Sequence, residues 1–117
     1  MLIGVPKEIK TEENRVGMTP MAVREVVRSG HAVIVESNAG HNIGLDDKDY
    51  AAAGAEIVGA AQDIFQRADM VVKVKEPQPV ECGMLRPGQI LFTYLHLAPD
   101  QEQTAALMKS GCVAIAY

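Results

Sequence analysis

Three side chains in this sequence have the chemistry to handle a small anion that carries a carbonyl group: Arg15, Lys75 and His96. A guanidinium grips a carboxylate in a fork, an ammonium holds a carboxylate or polarises a carbonyl oxygen, and an imidazole exchanges a proton near neutral pH. Each follows an apolar run of strand length. Arg15 sits in the polar loop Pro6 to Val16 after Leu2 to Val5, Lys75 closes Met70 to Lys75, and His96 closes Ile90 to His96. Ligands of parallel α/β sheets gather beyond the carboxyl ends of the strands, where loops and helix N-termini open. The three groups are therefore expected around one cavity at that edge, and together they suit a 2-oxo acid or an amino acid. Tyr94, two residues before His96, shares its face of the strand and can line the same pocket.

Plainer roles stay open for each. Arg15 lies among Glu12, Glu13 and Lys10, where a solvated charge is the ordinary outcome. Lys73 and Lys75 alternate with Val72 and Val74, so the two lysines share a face that can simply meet water. A single histidine after an apolar strand is often a hydrogen-bonded structural residue, and a tyrosine such as Tyr94 is often core.

The elements that must position these groups follow from periodicity. Apolar runs alternate with helical patterns, the signature of stacked βαβ units. Strands are expected at Leu2 to Val5, Ala32 to Glu36, Glu56 to Val58, Met70 to Lys75, Ile90 to His96 and Val113 to Tyr117. The clearest helix begins with Thr19 as N-cap and Pro20 in the first turn, turns Val23, Val26 and Val27 toward the sheet, and stops at Gly30. Asp46 to Gly54 reads as a short helix with acidic residues at its start and glycine at its end. Ala60 to Arg67 reads as another. The last helix runs from about Pro99 and Asp100 to Lys109, with Gly111 just past its stop. The fold expected is α/β, a mostly parallel sheet with flanking helices, Rossmann-like or flavodoxin-like and without a dinucleotide fingerprint.

Composition removes several classes. With 117 residues, a net charge of -4 and 48% apolar residues, the chain is the size and make-up of one globular domain. Its Lys and Arg residues are scattered, so no basic stripe exists to displace counterions from a nucleic acid. The opening Met1 to Pro6 has neither the basic flank of a signal peptide nor the length of a membrane span. Cys82 and Cys112 are isolated and read as reduced thiols of a cytoplasmic protein; no metal site is implied. Neither G-x-G-x-x-G nor a P-loop is present, so a nucleotide cofactor would have to be held elsewhere. The halt at Tyr117, inside an apolar β pattern, is expected to mark a segment of a longer chain.

Several motifs carry a family likeness. Gly4-Val5-Pro6-Lys7-Glu8, Asn14-Arg15-Val16, Thr19-Pro20, Val35 to Gly40, Ala53 to Val58, Lys73-Val74-Lys75-Glu76-Pro77 and Gly88 to Ala98 together resemble the alanine dehydrogenase and proton-translocating transhydrogenase family along the whole chain. Lys75 and His96 favour the dehydrogenase branch, because the transhydrogenase branch usually lacks both. The resemblance implies that Arg15 and Lys75 bind substrate and that His96 is the proton donor and acceptor. It implies that residues 1–117 are the N-terminal part of the substrate (catalytic) domain, with the NAD-binding domain and a further catalytic aspartate beyond Tyr117. The implied reaction is the reversible conversion of L-alanine, NAD and water into pyruvate, ammonia and NADH, in a cytoplasmic enzyme that in this family is commonly a homohexamer. The 117-residue segment alone is expected to be inactive. Two other readings remain: the NAD-binding subunit of a transhydrogenase, with a membrane partner, and a non-catalytic ligand-binding module.

Overall fold

The computed structural model describes residues 1–117. Six strands, β1 (Leu2–Val5), β2 (Ala32–Glu36), β3 (Glu56–Val58), β4 (Met70–Val72), β5 (Ile90–Thr93) and β6 (Val113–Ala116), form one parallel sheet in the order β3-β2-β1-β4-β5-β6. The chain builds outward from β1 through β2 to β3, then returns to the other side of β1 to lay down β4. The gap between the carboxyl ends of β1 and β4 is thus the switch point of the sheet, where successive connections diverge and leave a crevice.

The helices are α1 (Pro20–Arg28), α2 (Asp47–Ala52), α3 (Ala61–Arg67), the single turn α4 (Pro79–Cys82) and α5 (Gln101–Ser110), with a 3-10 turn at His41–Ile43. Their ends obey local chemistry. Thr19 caps α1 by accepting the Ala22 N–H at 3.2 Å, and Asp100 caps α5 by accepting the Gln103 N–H at 2.9 Å. Gly111 ends α5 with a φ of 73°, a left-handed conformation that glycine adopts without a Cβ clash. No helix is long and apolar enough to cross a membrane.

Strand alternation divides the core into two layers. Ile3 and Val5 of β1 and Val33 and Val35 of β2 point to one face, where they meet Val23 of α1 and Tyr50 of α2. Val26 and Val27 pack against the same layer, as their spacing requires. Ile34, Val71 and Leu91 point to the other face, against Ile64 and Phe65 of α3 and Leu107 of α5. Gly4 falls on that second face because a Cβ there would lie 2.7 Å from Ile64 Cγ2 and 2.8 Å from Ala68 Cβ, so its absence lets α3 close onto β1.

Three strands end earlier than their sequence pattern suggests. β4 stops at Val72 rather than Lys75, β5 at Thr93 rather than His96, and β6 at Ala116 rather than Tyr117. The cause at β4 is specific. Lys73 still donates its N–H to Phe92, but the N–H groups of Val74 and Lys75 go to the carboxylate of Glu8, which takes them out of the ladder. A water-facing Lys73 is also corrected. Its side chain is 1% exposed and its ammonium lies 3.1 Å from both Glu8 and Glu81, because the loop after β1 and the turn α4 fold over it.

Candidate functional site

The strand ends at the switch point carry the polar side chains singled out above. The loop after β1 brings Arg15, the exit of β4 brings Lys75, and the exit of β5 brings Tyr94 and His96. All four line one open cleft of about 630 Å³, in the range of small-molecule sites. Val16, Gly17, Thr19, Ile43, Val74 and Tyr117 complete its walls. The cleft thus gathers Arg15, Lys75 and His96 at the carboxyl edge of the sheet.

Tyr94 is the hub of the aromatic wall. Its ring meets the His96 imidazole edge-on, with centroids 4.5 Å apart, and the Lys75 ammonium stands 5.7 Å from the ring centre. A cation at that distance feels the negative face of the ring, which biases Lys75 toward the same wall as His96. Tyr94 is 43% exposed, so it belongs to the cleft and not to the core. Tyr117 closes the far side. Its hydroxyl donates to the Lys73 carbonyl at 2.7 Å, its ring leans on Phe92, and burial pushes its phenol above the usual tyrosine range.

Arg15 meets water, with its side chain 64% exposed, but it is paired. Its Nε and one terminal nitrogen donate to the two carboxylate oxygens of Glu13 at 3.0 and 2.8 Å, a side-on fork. The backbone N–H of Arg15 donates to the same carboxylate at 2.9 Å. These hydrogen bonds from Arg15 hold the Glu13 carboxyl down at about 2, so it stays ionised. Glu13 occupies the side edge of the guanidinium and leaves the end edge as the donor pair that a carboxylate ligand can take. Nothing in the sequence singled Glu13 out, although an acid two residues before an arginine in a loop is the local signal of such a fork.

Below the cleft lies a buried polar layer. Glu8 is 6% exposed and Thr93 fully buried. Glu8 accepts from the Lys73 ammonium and from the backbone of Val74 and Lys75, while the Thr93 hydroxyl donates to the Lys75 carbonyl at 2.7 Å. Beside it, burial works to raise the Glu76 carboxyl, but the hydrogen bond from Lys10, a backbone hydrogen bond and the Lys10 charge outweigh it and hold the carboxyl below the usual range. A smaller cavity of about 320 Å³, between α4 and α5, is lined by Glu76, Cys82, Asp100 and Gln103 among others; it shares no residue with the cleft and offers no cation. Of these two cavities the cleft is the one that offers an anionic ligand cations, in Arg15 and Lys75, and no group of His, Cys, Asp and Glu side chains is arranged to hold a metal ion.

Comparison with known proteins bears on the family and the fold. Residues 4–117 match the model of the alanine dehydrogenase/PNT N-terminal domain. The chain is 51% identical over its full length to an alanine dehydrogenase of Methanococcus maripaludis and 50% identical to one of Bacillus subtilis, spanning 31% of each. A solved L-alanine dehydrogenase superposes with a TM-score of 0.97 at 53% identity, over all of this chain and 32% of that one. A transhydrogenase from Sinorhizobium meliloti follows with a TM-score of 0.92 at 27% identity, over 99% of this chain and 33% of that one. The chain spans about a third of the length of these relatives. With its sheet order, its cleft and a family match over nearly every residue, this chain belongs to the alanine dehydrogenase/PNT family, as the N-terminal domain of that family.

Proposed function

We propose that this chain supplies the substrate-binding and proton-transfer half of a cytoplasmic alanine dehydrogenase, which interconverts L-alanine with pyruvate and ammonia at the expense of NAD and acts as a homo-oligomer, commonly a homohexamer in its family. The observation that carries the reading is the meeting of Arg15, Lys75 and His96 in one cleft at the switch point. A transhydrogenase has no need of a carboxylate clamp beside an imidazole, since its substrates are nucleotides.

The roles follow from the chemistry of each group. Arg15 binds the substrate carboxylate through the edge that Glu13 leaves open. Lys75 adds a second positive charge and faces the oxygen that develops on the substrate α-carbon, where a fixed cation lowers the barrier without reorganising. His96 exchanges the proton as water adds and as the tetrahedral species collapses, because an imidazole is the side chain suited to give and take a proton near neutrality. Tyr94 and Tyr117 limit the room around the α-carbon and favour a small substrate.

The residues present here do not form a dinucleotide cradle. The connection from β1 to α1 is the long loop 6–19 rather than a tight glycine turn, and the start of α1 is closed by the Thr19 side chain and Pro20. We assign residues 1–117 to the N-terminal part of the substrate domain and the hold on NAD to the polypeptide beyond Tyr117. The test is steady-state turnover by the full-length protein. Oxidation of NADH that requires both pyruvate and ammonium is expected. Hydride exchange between two nucleotides, with no response to pyruvate, would place the protein in the transhydrogenase branch instead.

A further inference from the structure

We infer that Glu8 is a positioning residue that sets the substrate-facing direction of Lys75, an inference that rests on the reading of the cleft given above. Lys75 lies three residues past the last ladder position of β4, Val72, where a strand normally loses its guidance. Here the guidance comes from a side chain on another segment. Glu8 Oε1 accepts the Lys75 N–H at 3.1 Å and Glu8 Oε2 accepts the Val74 N–H at 3.2 Å. One carboxylate thus replaces the missing neighbour strand for both residues.

The carboxylate is itself fixed. Glu8 Oε1 also accepts from the Lys73 ammonium at 3.1 Å, and that ammonium is held from its other side by Glu81 at 3.1 Å, with all three side chains nearly inaccessible to water. A buried ion held on two sides cannot swing without leaving a charge unpaired, so the triad behaves as a rigid post. Other groups complete the frame. Thr93 donates to the Lys75 carbonyl at 2.7 Å, and Tyr117 donates to the Lys73 carbonyl at 2.7 Å. Every backbone polar group of Lys75 is therefore set by a side chain from a different strand end.

Glu8 also belongs to the same loop as Arg15. Its contacts tie the exit of β1 to the exit of β4 across the switch point, while Arg15 further along the loop is held separately by Glu13. A Gln at position 8 keeps the size but turns one acceptor into an N–H donor, which must then face the Val74 N–H or the Lys73 ammonium. An Asp keeps the charge but draws the carboxylate back by roughly the 1.5 Å of one carbon–carbon bond, too far to hold the backbone N–H groups.

The test is a double-mutant cycle on the full-length protein, read in KM for pyruvate and in kcat, with melting temperature followed in parallel. Glu8→Gln is expected to raise KM for pyruvate about tenfold, since displacements of about 1 Å at a reacting site cost up to about 10²-fold. In the Lys75→Ala background the same substitution is expected to change KM by less than twofold, because the side chain it positions is gone. Glu8→Asp repeats the cycle if the Gln variant does not fold. Equal losses in both backgrounds would show that Glu8 merely holds the fold and would overturn the inference. Wild-type kinetics in Lys75→Ala alone would instead overturn the substrate role of Lys75, and the inference with it.

Discussion

Replacing Gly17 with alanine puts a single methyl group against the least yielding part of the site. Gly17 lies in the β1–α1 loop, two residues past Arg15, and lines the cleft. A Cβ at this position would stand 2.5 Å from the Val72 carbonyl oxygen, 2.9 Å from its carbon and 3.2 Å from Lys73 Cα. All three are backbone atoms at the exit of β4, so no side chain can rotate away. Ordinary contact begins at 3.4 Å, which leaves the methyl short of room and obliges the loop to lift from β4 by several tenths of an ångström. Overpacking of this kind costs about 1–3 kcal/mol. Each kcal/mol lowers the melting temperature of a domain near this size by roughly 4–8 °C. Gly17→Ala is therefore expected to melt at least about 4 °C lower than wild type. Because the lift also separates Arg15 from Lys75, KM for pyruvate in the full-length protein should rise more than kcat falls. The first quantity is read by circular dichroism on heating, the second by steady-state kinetics. A melting temperature within about 1 °C of wild type, together with an unchanged KM, would show that the loop does not bear on β4 and would refute the reasoning.

Two further substitutions probe the layer below the cleft and the proton-transfer group. Lys73→Met leaves Glu8 and Glu81 buried without their shared cation, and loss of one partner from a buried ion pair typically costs about 3–5 kcal/mol. Burial already raises the Glu81 carboxyl while the Lys73 charge opposes the rise, so removing Lys73 lifts it further. A carboxyl whose folded value lies above its unfolded one adds stability at low pH and loses it as pH rises through the folded value. The stability gap between the variant and wild type should accordingly be widest near neutrality and narrow toward acid, as followed by urea melts across pH. His96→Asn in the full-length protein keeps a hydrogen-bonding side chain but no titrating one; turnover should fall about 10²-fold or more while pyruvate binding survives in part. The near-neutral limb of the pH profile should vanish, and a variant with wild-type turnover and an unchanged profile would return His96 to a structural role.

Features that depend on neighbours in sequence were legible, and those that depend on distant partners were not. The alternation of apolar runs with helical patterns is local, so the parallel sheet, the Thr19 cap and the Gly111 stop could all be read from it. The Val-Lys alternation of residues 72–75 looks like strand continued to Lys75, yet the residue that ends the ladder is Glu8, more than sixty positions away. The burial of Lys73 hides for the same reason, since its two carboxylates come from the β1 loop and from α4. The turn α4 did carry a signal. Gln78-Pro79-Val80-Glu81 places proline in the first turn and an acid at its third position, and the Glu81 carboxylate accepts the Gln78 N–H at 2.8 Å. At the site, residue type and position at strand ends were enough to bring Arg15, Lys75 and His96 together. The fork between Glu13 and Arg15 and the wall made by Tyr117 depend on how the loop closes and on β6 lying beside β5.

A crystal structure of the full-length protein with pyruvate tests most directly whether this cleft is the substrate site. The carboxylate should lie on the free edge of the Arg15 guanidinium and near the Lys75 ammonium, with the keto oxygen within hydrogen-bond reach of Lys75 or His96, about 2.6–3.2 Å. Pyruvate bound elsewhere, with the cleft between Arg15 and His96 filled only by water, would contradict the account.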